Sequence, residues 1–350
     1  MVWSTSRSLN VRVEGMALQI LVTGGAGFLG SSLCEALIAD GHRVVALDSL
    51  FRGSLDNIAS LESHSDFFFV QGDVRSVEAL DACVEMLGGL DLIYHLAAIN
   101  GTKWFHEAAH SVIDVNINGT LRTLELAMAH EARYVLASSP EAFGEAEIQP
   151  IQNGNPMSFT DPQAHQRHSY GASKYLNEVA AQHAARDGLD VRIVRPFNAY
   201  GPRLNGGAYG QVVAMFFEAI LTSKPIQIHN QGTQTRSFTW IDDIIDGFLK
   251  AGLTADEPPK HLSSVAFNIG STEEVSIKEL HEKIYRIVQS DSNWTSALPK
   301  VEFTPGYHGD AQRRLPDPSL SEALLDWKPT TSLDEGLALM WAHLRDRQRL

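Results

Sequence analysis

Cysteine is nearly absent from the sequence: only Cys34 and Cys83 occur among 350 residues. Both lie in stretches that we predict to be helical, and they form no Cys-x-x-Cys pair. The pattern therefore indicates neither a disulfide framework nor a zinc site. Cysteine usage of this kind is typical of a reducing compartment, so we expect a cytoplasmic protein.

Long apolar runs are also missing. No stretch of eighteen consecutive apolar residues occurs, and residues 1–15 contain no apolar run of signal-peptide length. We therefore expect no membrane partner. Residues 1–15 are predicted to be a flexible N-terminal tail, with Met16 as an alternative start just before the first strand.

Positive charge is scarce. The chain has 28 Lys and Arg residues against 42 Asp and Glu residues, a formal net charge of −14, and no long basic cluster. Because this surface would repel a phosphate backbone, nucleic acid is not an expected partner. A small anionic ligand is still compatible with this charge, since a few arginines and helix N-termini can form a local positive site.

Apolar residues make up 44% of the chain, which is enough to bury a substantial core. From Leu18 onward, short runs rich in Val, Ile and Leu alternate with amphipathic segments, which predicts β-α-β order. The strand segments lack strict apolar-polar alternation, as expected for a parallel sheet covered by helices. The predicted fold class is α/β, a doubly wound parallel sheet with a smaller, discontinuous α/β lid. Helices are predicted near 30–40, 76–87, 112–130, from Tyr170 and near 333–346.

A glycine-rich segment, GGAGFLG at 24–30, joins the first predicted strand to the first predicted helix. Glycine permits a tight turn and lets backbone N–H groups approach a pyrophosphate, whose charge the helix N-terminus favours. The position between strand and helix is the one that a dinucleotide fingerprint requires. An ordinary tight turn is the alternative interpretation of the glycines alone.

Asp48 ends the second predicted strand and supports the dinucleotide interpretation. A carboxylate there accepts hydrogen bonds from the adenosine ribose hydroxyls and repels a 2′-phosphate, so the pattern favours NAD over NADP. Arg52 nearby keeps NADP open as an alternative. Asp73 follows the third predicted strand, where it could hold the adenine amino group or simply be a turn residue.

Several motifs together resemble extended short-chain dehydrogenases/reductases that act on nucleotide-sugars, over roughly residues 18 to 345. The motifs are GGAGFLG, GDV at 72–74, YHLAA at 94–98, NINGT at 116–120, the Tyr170 and Lys174 pair, RPFNAYGPR at 195–203, TRSFTWIDD, FNIG and RRLPD. Within that family the sequence is most similar to UDP-glucose 4-epimerases, UDP-glucuronate decarboxylases and nucleotide-hexose 4,6-dehydratases. The resemblance implies NAD as cofactor, with contacts from Gly24, Gly27, Phe28, Leu29, Gly30, Asp48, Asp73, Val74, Leu96, Ala97, Ala98, Asn116, Tyr170, Lys174 and Phe197.

The resemblance also suggests a division of the chain. We expect an NAD-binding Rossmann domain with the catalytic residues over 16–200. Residues 201–350 are expected to be mainly a sugar-nucleotide-binding region, with a part at about 236–270 that returns to the Rossmann domain.

Tyr170 and Lys174 are one helical turn apart, so their side chains project toward one site. A free phenol has a pKa near 10. A lysine ammonium and a positive nicotinamide ring would lower it, so that Tyr170 can remove a hydroxyl proton. Ser139 lies at a predicted strand end, and the resemblance makes it the third member of a Ser-Tyr-Lys set. Ser138 is the alternative.

Glu141 is the most informative departure. The related epimerases usually carry a small or hydroxyl residue there, whereas decarboxylases and dehydratases carry Glu, which could act as a base beside a 4-keto group. Pro140 occupies the position of the Asp acid of 4,6-dehydratases, and proline has no proton to donate. Plain 4,6-elimination is therefore disfavoured, while epimerisation or a Glu141-assisted step remains. A solvated loop carboxylate is the third interpretation.

The segment around the lysine, YGASKY at 170–175, resembles the epimerase pattern better than the decarboxylase pattern. The segment AINGTKWFH at 98–106 matches none of the three classes closely. We expect Thr102, Lys103 and Trp104 to shape the sugar pocket, which leaves the sugar itself open.

The resemblance assigns the sugar-nucleotide contacts to Asn198, Arg203, Arg236 and Asp310. Arginine suits a diphosphate because its planar fork grips oxygens in pairs. Related epimerases usually have an Arg three residues before that Asp, but this chain has Tyr307, so Arg313 or Arg314 is the expected substitute. A UDP-sugar is favoured on this basis.

Four scattered histidines do not predict a metal site; we expect His106, His110, His165 and His168 at the surface. The predicted helices at 112–130 and 170–187 resemble those that form a dimer interface in relatives, so a homodimer is expected. The favoured function is an NAD-dependent epimerase acting at C4 of a UDP-hexose through a transient 4-keto sugar. The alternatives are a dehydratase or decarboxylase that uses Glu141 as base, and a non-catalytic NAD-binding sensor.

Overall fold

The computed structural model describes residues 17–164, 168–206, 211–255, 261–306 and 311–348. The strands are β1 (Gln19–Thr23), β2 (Arg43–Asp48), β3 (Phe67–Gln71), β4 (Leu92–His95), β5 (Arg133–Ala137), β6 (Val191–Pro196), β7 (Ala199–Tyr200), β8 (Ile226–His229), β9 (Thr235–Ser237), β10 (Thr239–Trp240), β11 (Ala266–Ile269), β12 (Glu274–Ser276), β13 (Val301–Thr304) and β14 (Arg313–Arg314). The helices are α1 (Phe28–Ala39), α2 (Val77–Leu87), α3 (Thr102–Glu107), α4 (Ala109–His130), α5 (His168–Arg186), α6 (Val212–Leu221), α7 (Ile241–Leu253), α8 (Ile277–Ser290), α9 (Ser319–Leu325) and α10 (Leu333–Gln348).

The main sheet has seven parallel strands in the order β11-β6-β5-β4-β1-β2-β3. The strand order reverses beside β1, which opens a crevice at the carboxyl ends of the central strands, where ligands of such sheets bind. The predicted α/β, doubly wound parallel sheet is confirmed.

Strand β2 shows why its sequence lacks polar alternation. Val44 and Ala46 point into one hydrophobic layer, while Val45 and Leu47 point into the layer on the opposite face. Helices α1 and α7 cover the first face, and α2, α4 and α5 cover the second. Because both faces are covered, every inward position along the strand must be apolar.

The second half of the chain is built onto the first of these layers. Apolar residues of α6, β8, α8 and α10 join the same buried cluster as α1 and α7. Three small sheets, β10-β7, β12-β9-β14 and β13-β8, stand beside the main sheet. The last strand of the main sheet, β11, comes from this half of the chain and pairs with β6.

Cys34 and Cys83 are buried in α1 and α2 and form no disulfide. Across the described part of the chain, none of the helices combines the length and the apolar character that crossing a bilayer would require.

Candidate active site

One cavity of about 1120 Å³ extends from the glycine turn after β1 to the small sheets of the second half. It lies at the carboxyl ends of the central strands. Most of the residues predicted from the sequence to bind or react line it: Gly24, Gly27, Phe28, Leu29, Gly30, Asp48, Asp73, Val74, Leu96, Ala97, Ala98, Thr102, Ser139, Glu141, Tyr170, Lys174, Asn198, Arg203 and Arg236.

The glycine turn is packed so tightly that no larger residue fits. Gly24 has a φ of +71°, and a Cβ there would lie 2.9 Å from the backbone nitrogen of Ala97. A Cβ on Gly30 would lie 2.1 Å from the carbonyl oxygen of Gly24. Helix α1 begins directly after Gly27 and has no acidic residue in its first turn. The turn therefore presents backbone N–H groups and a positive helix end to the cavity, which suits a pyrophosphate.

Asp48 lies at the end of β2 and is buried. Its carboxylate accepts hydrogen bonds from the backbone N–H groups of Ala26, at 3.1 Å, and Leu50, at 2.8 Å. Desolvation raises the pKa of Asp48, and these two bonds oppose that rise. These two bonds hold the carboxylate beside the glycine turn. From this position a carboxylate can accept hydrogen bonds from the ribose hydroxyls of a dinucleotide.

Asp73 is not a free acceptor. Its carboxylate is engaged by Arg75, whose Nε lies 2.9 Å from Oδ1 and whose Nη1 also bonds Asp114 on α4. The Arg75 hydrogen bond is the main reason that the pKa of Asp73 is lowered. Asp73, Arg75 and Asp114 together connect the loop after β3 to α4. They line the cavity on the β3 side of Asp48, away from β1.

Asn116 and Phe197, both predicted to contact the cofactor, are not among the residues that line the cavity. The Asn116 side chain accepts from the backbone N–H of Ile99 at 2.8 Å and donates to Ser173 Oγ at 3.0 Å. Phe197 is fully buried in a small cluster with Phe143. Asn116 therefore fixes the loop after β4 against α5, and Phe197 supports the site from behind.

Tyr170 and Lys174 project together from the first turns of α5. The Lys174 Nζ donates to the carbonyl oxygen of Ala137 at 2.7 Å and lies 5.7 Å from the centroid of the Tyr170 ring. Burial lowers the pKa of Lys174 to about 8, against a charge from Glu178 that raises it. Burial also raises the pKa of the Tyr170 phenol, while a hydrogen bond from Ser139 lowers it. The three predicted catalytic residues are therefore brought together.

A buried ion pair behind Lys174 was not predicted from the sequence. Arg195 donates to both carboxylate oxygens of Glu178, at 2.8 and 2.6 Å, and Ser138 donates to the same carboxylate. The Ser138 hydroxyl is therefore engaged by Glu178, whereas Ser139 bonds the Tyr170 phenol, which favours Ser139 as the serine of the set. The spacing of Glu178, four residues after Lys174, was the available signal in the sequence.

Glu141 is neither solvated nor isolated. It lies in a turn over Pro140–Phe143, and the guanidinium of Arg314 on β14 engages both of its carboxylate oxygens. The side chains of the two residues are 17% and 7% exposed, so the pair is largely shielded from water. The interpretation of Glu141 as a solvated loop carboxylate is wrong, because the second half of the chain covers this turn. Arg313 pairs instead with Glu274 outside the cavity, so Arg314 is the arginine that reaches the site.

Two of the predicted substrate residues, Asn198 and Arg236, are held by backbone carbonyls of β9. The Asn198 amide donates to the carbonyl oxygen of Ser237 at 2.7 Å, and Arg236 donates to that of Thr235 at 2.7 Å. Arg203 forms an ion pair with Glu35 on α1 at 2.6 Å. Asp310 and Tyr307 fall outside the described residues.

Comparison with known proteins agrees with this geometry. Residues 20–270 match the family model described as the NAD dependent epimerase/dehydratase family. The chain belongs to this family. It is 32% identical over 335 residues to the UDP-glucose 4-epimerase of Mycolicibacterium smegmatis, a match that covers 95% of this chain and 100% of that protein. It is also 32% identical over 336 residues to UDP-glucuronic acid decarboxylase 1 of Arabidopsis thaliana, covering 94% of this chain and 70% of that protein.

Solved structures of epimerases have the same architecture. The UDP-glucose 4-epimerase of Thermotoga maritima with UDP-glucose has a TM-score of 0.81 at 26% identity, covering 94% of this chain and 99% of that one. The UDP-glucuronic acid 4-epimerase of Bacillus cereus, in complex with UDP-glucuronic acid and NAD, has a TM-score of 0.80 at 28% identity, with the same coverage. The protein is thus an NAD-dependent enzyme of the nucleotide-sugar epimerase/dehydratase type, as predicted.

The residues of this epimerase/dehydratase fit NAD. Gly24 and Gly30 allow the turn to close tightly, because a Cβ at either position would collide with neighbouring backbone, and Asp48 supplies a carboxylate beside the turn. When bound, NAD would supply a hydride acceptor.

The histidines of this epimerase/dehydratase need one correction. His168 is buried, not at the surface: it begins α5 with its ring edge-on to Phe159 and its Nε2 3.8 Å from Glu145. His106 is half-buried, His110 is exposed, and His165 falls outside the described residues. No group of three or more His, Cys, Asp or Glu side chains within the described ranges could hold a metal ion.

Proposed function

We propose that the protein is a nucleotide-sugar 4-epimerase that acts through a transient 4-keto sugar, with a UDP-hexose as its favoured substrate. The observation that carries the proposal is the ion pair of Glu141 with Arg314, which occupies both oxygens of the Glu141 carboxylate. Tyr170, Ser139 and Lys174, by contrast, come together at the cavity. Pro140 stands beside it and has no acidic proton. The site therefore has the residues needed for oxidation and reduction at C4. It lacks the acid that 4,6-elimination requires.

Tyr170 is the proton-transferring residue in this mechanism. As the phenolate it accepts the proton of the C4 hydroxyl, and it returns that proton after the keto sugar has turned over in the cavity. When bound, NAD would supply the hydride acceptor for oxidation at C4 and the hydride donor for the return step. Ser139 orients the sugar oxygen toward the phenol, and the Lys174 ammonium stabilises the phenolate.

The preference for uridine rests on the relatives and on the far end of the cavity. Two of the relatives described above are named as UDP-sugar enzymes, and their matches cover most of this chain. Asn198 and Arg236 line the part of the cavity formed by the second half of the chain, where a sugar diphosphate would lie opposite the cofactor, whereas Arg203 bonds Ser31 and Glu35 on α1. Arginines suit such a diphosphate.

A second candidate is a dehydratase or decarboxylase in which Glu141 abstracts a proton next to the 4-keto group. One observation favours it: Glu141 lines the same cavity as Tyr170, and its charge raises the pKa of that phenol. In this case the ion pair between Glu141 and Arg314 would have to open during turnover. A carboxylate with both oxygens hydrogen-bonded to a guanidinium is a poor acceptor for a carbon-bound proton.

One experiment separates the two candidates. The protein is incubated with UDP-, GDP-, dTDP- and CDP-sugars in deuterated water, and the products are followed by NMR. We expect the C4 epimer of a UDP-hexose with no deuterium on carbon, since the hydride never meets solvent. Deuterium at C3 or C5, or a product that has lost water or carbon dioxide, would establish the second candidate.

We also propose a homodimer in the cytoplasm. The packed pair α4 and α5 exposes a set of large apolar side chains: Ile113, Leu121, Met128, Tyr175, Leu176 and Val179. Self-association through these helices would remove the patch from water. Sedimentation of the wild type should give twice the monomer mass, and Leu176→Glu should reduce it to the monomer. The two free cysteines support the assignment to a reducing compartment.

A further inference from the structure

A bridge of side chains crosses the cofactor groove above the glycine turn. Arg52 lies on the loop after β2, and its Nη1 donates to both the backbone and the side-chain oxygen of Asn100, on the loop after β4. Beside this contact the rings of Phe51 and Trp104 meet with their centroids 5.2 Å apart. The second of these loops belongs to the segment 98–106, which matches none of the three enzyme classes closely.

The order of the strands shows what the bridge passes over. Strand β1 lies between β4 and β2 in the sheet, and the glycine turn follows β1 directly. A side chain that starts after β2 and ends after β4 must therefore cross the turn between Gly24 and Gly27. The backbone N–H groups of this turn and the N-terminus of α1 would hold a bound pyrophosphate from one side. Arg52 lines the same cavity, so its guanidinium can approach that group from the other side.

Two further observations fix where the positive charge lies. Arg52 is half-buried, and desolvation lowers its pKa, so the cation has lost part of its water shell and gains from an anionic partner. Arg52 and Tyr170 also act on each other electrostatically, since the guanidinium lowers the pKa of the phenol. The Arg52 guanidinium therefore lies within electrostatic range of Tyr170 and bonds the loop after β4, whereas the Asp48 carboxylate is engaged by Ala26 and Leu50.

We infer that Arg52, positioned by Asn100, binds the diphosphate of the dinucleotide and closes the groove over it. Arginine is suited to this because its planar set of five N–H donors can grip phosphate oxygens in pairs while one nitrogen stays on Asn100. The inference concerns the cofactor groove alone and does not depend on which sugar reaction the enzyme performs.

The test is calorimetric titration of NAD-free protein with a ladder of ligands: adenosine, ADP-ribose, NAD, NADP and UDP. In Arg52→Gln we expect the affinity for ADP-ribose and for NAD to fall by about 10- to 100-fold, the usual worth of hydrogen bonds to a charged group. Adenosine, which lacks the diphosphate, should bind as it does to the wild type, and so should UDP. Arg43→Gln, at the opposite end of β2, is the matched control and should change nothing.

Two more variants keep the test independent of folding. Arg52→Lys keeps the charge but not the planar fork, so it should recover part of the lost affinity. Asn100→Ala leaves the arginine in place but unseated, so NAD should bind more weakly and dissociate faster in stopped-flow displacement. Unchanged affinity for ADP-ribose in Arg52→Gln would overturn the inference. So would a loss confined to NADP, which would make Arg52 a reader of the 2′-phosphate, or one confined to UDP, which would place it at the substrate.

Discussion

Arg314 grips the carboxylate of Glu141 from 173 positions further along the chain. The contact fastens β14, in the second half, to the turn that follows β5. It forms a largely buried ion pair that lines the same cavity as Tyr170. A residue that the sequence suggests as a base is thereby held as one half of an ion pair.

Glu141→Gln should therefore change the pH dependence of turnover more than its maximum. The charge of Glu141 raises the pKa of Tyr170, so its removal lowers that pKa. Because the phenolate is the active form, the acidic limb of kcat/KM should move to lower pH. Profiles of the wild type and the variant check this. A variant that still reduces NAD but forms no product at any pH would instead show that Glu141 is a base.

Tyr170→Phe should lower kcat by about 10²- to 10⁴-fold, because only the oxygen that transfers the proton is lost. Binding of the nucleotide-sugar should be nearly unchanged, as measured by titration calorimetry. Tyr175→Phe, five residues further along the same helix and 39% exposed, is the control and should keep normal turnover. Near-normal turnover of Tyr170→Phe would remove this residue from the mechanism.

Lys174 should make the stability of the protein depend on pH. Burial lowers its pKa from 10.5 to about 8. Between these values the unfolded chain binds the extra proton, so folding becomes more favourable as the pH rises, and below about pH 8 the full cost of the buried charge is present. Relative to Lys174→Met, the wild type should gain roughly 3 kcal/mol in free energy of unfolding between about pH 8 and 10.5. Urea unfolding of NAD-free protein at several pH values measures the difference, and a constant difference would contradict it.

Asp48 should decide the choice between NAD and NADP. Its rigid carboxylate repels a 2′-phosphate, so NAD should bind more tightly than NADP to the wild type. Asp48→Ala should reduce the difference between the affinities for NAD and NADP, mainly by weakening the binding of NAD. Fluorescence titration with both dinucleotides tests this, and equal binding of the two by the wild type would refute the role given to the carboxylate.

The buried pair of Arg195 and Glu178 should be costly to break on one side only. Both side chains are at most 7% exposed. Arg195→Met leaves a buried carboxylate without its guanidinium partner and should cost about 3–5 kcal/mol of stability, much of which Glu178→Leu in the same chain should recover. The exposed pair of Arg122 and Glu125 is the control, and Arg122→Met should cost less than about 1 kcal/mol. Additive losses in the double variant would contradict the expectation.

Local patterns in the sequence were enough for the fold and for the centre of the site. The apolar residues of β2 alternate between two buried layers, so an uninterrupted apolar run predicts a central parallel strand. Tyr170 and Lys174 are one helical turn apart, and that spacing alone places both side chains in one cavity. Helix α4 shows the limit of such patterns: it begins at Ala109, three residues before the predicted start, without a side-chain cap that could mark the position.

Contacts between distant segments could not be predicted in this way. The sequence around Glu141 gives no sign of its contact with Arg314. The two residues meet only when the second half of the chain folds over the turn that contains Glu141. Phe197 belongs to a motif typical of cofactor binding, yet its ring packs behind the site against Phe143. His168 is flanked by polar residues in the sequence, and only the packing of α5 against Phe159 buries it.

Strand β11 has a consequence for how such an enzyme can change its substrate. It enters the main sheet from the second half of the chain and covers β6, so the two halves share one sheet. The second half of the chain cannot be exchanged as a separate unit, because its removal would expose β6 as an unpaired edge of the main sheet. We therefore expect changes of specificity to come from replacements in the loops around the cavity, within a sheet to which both halves contribute.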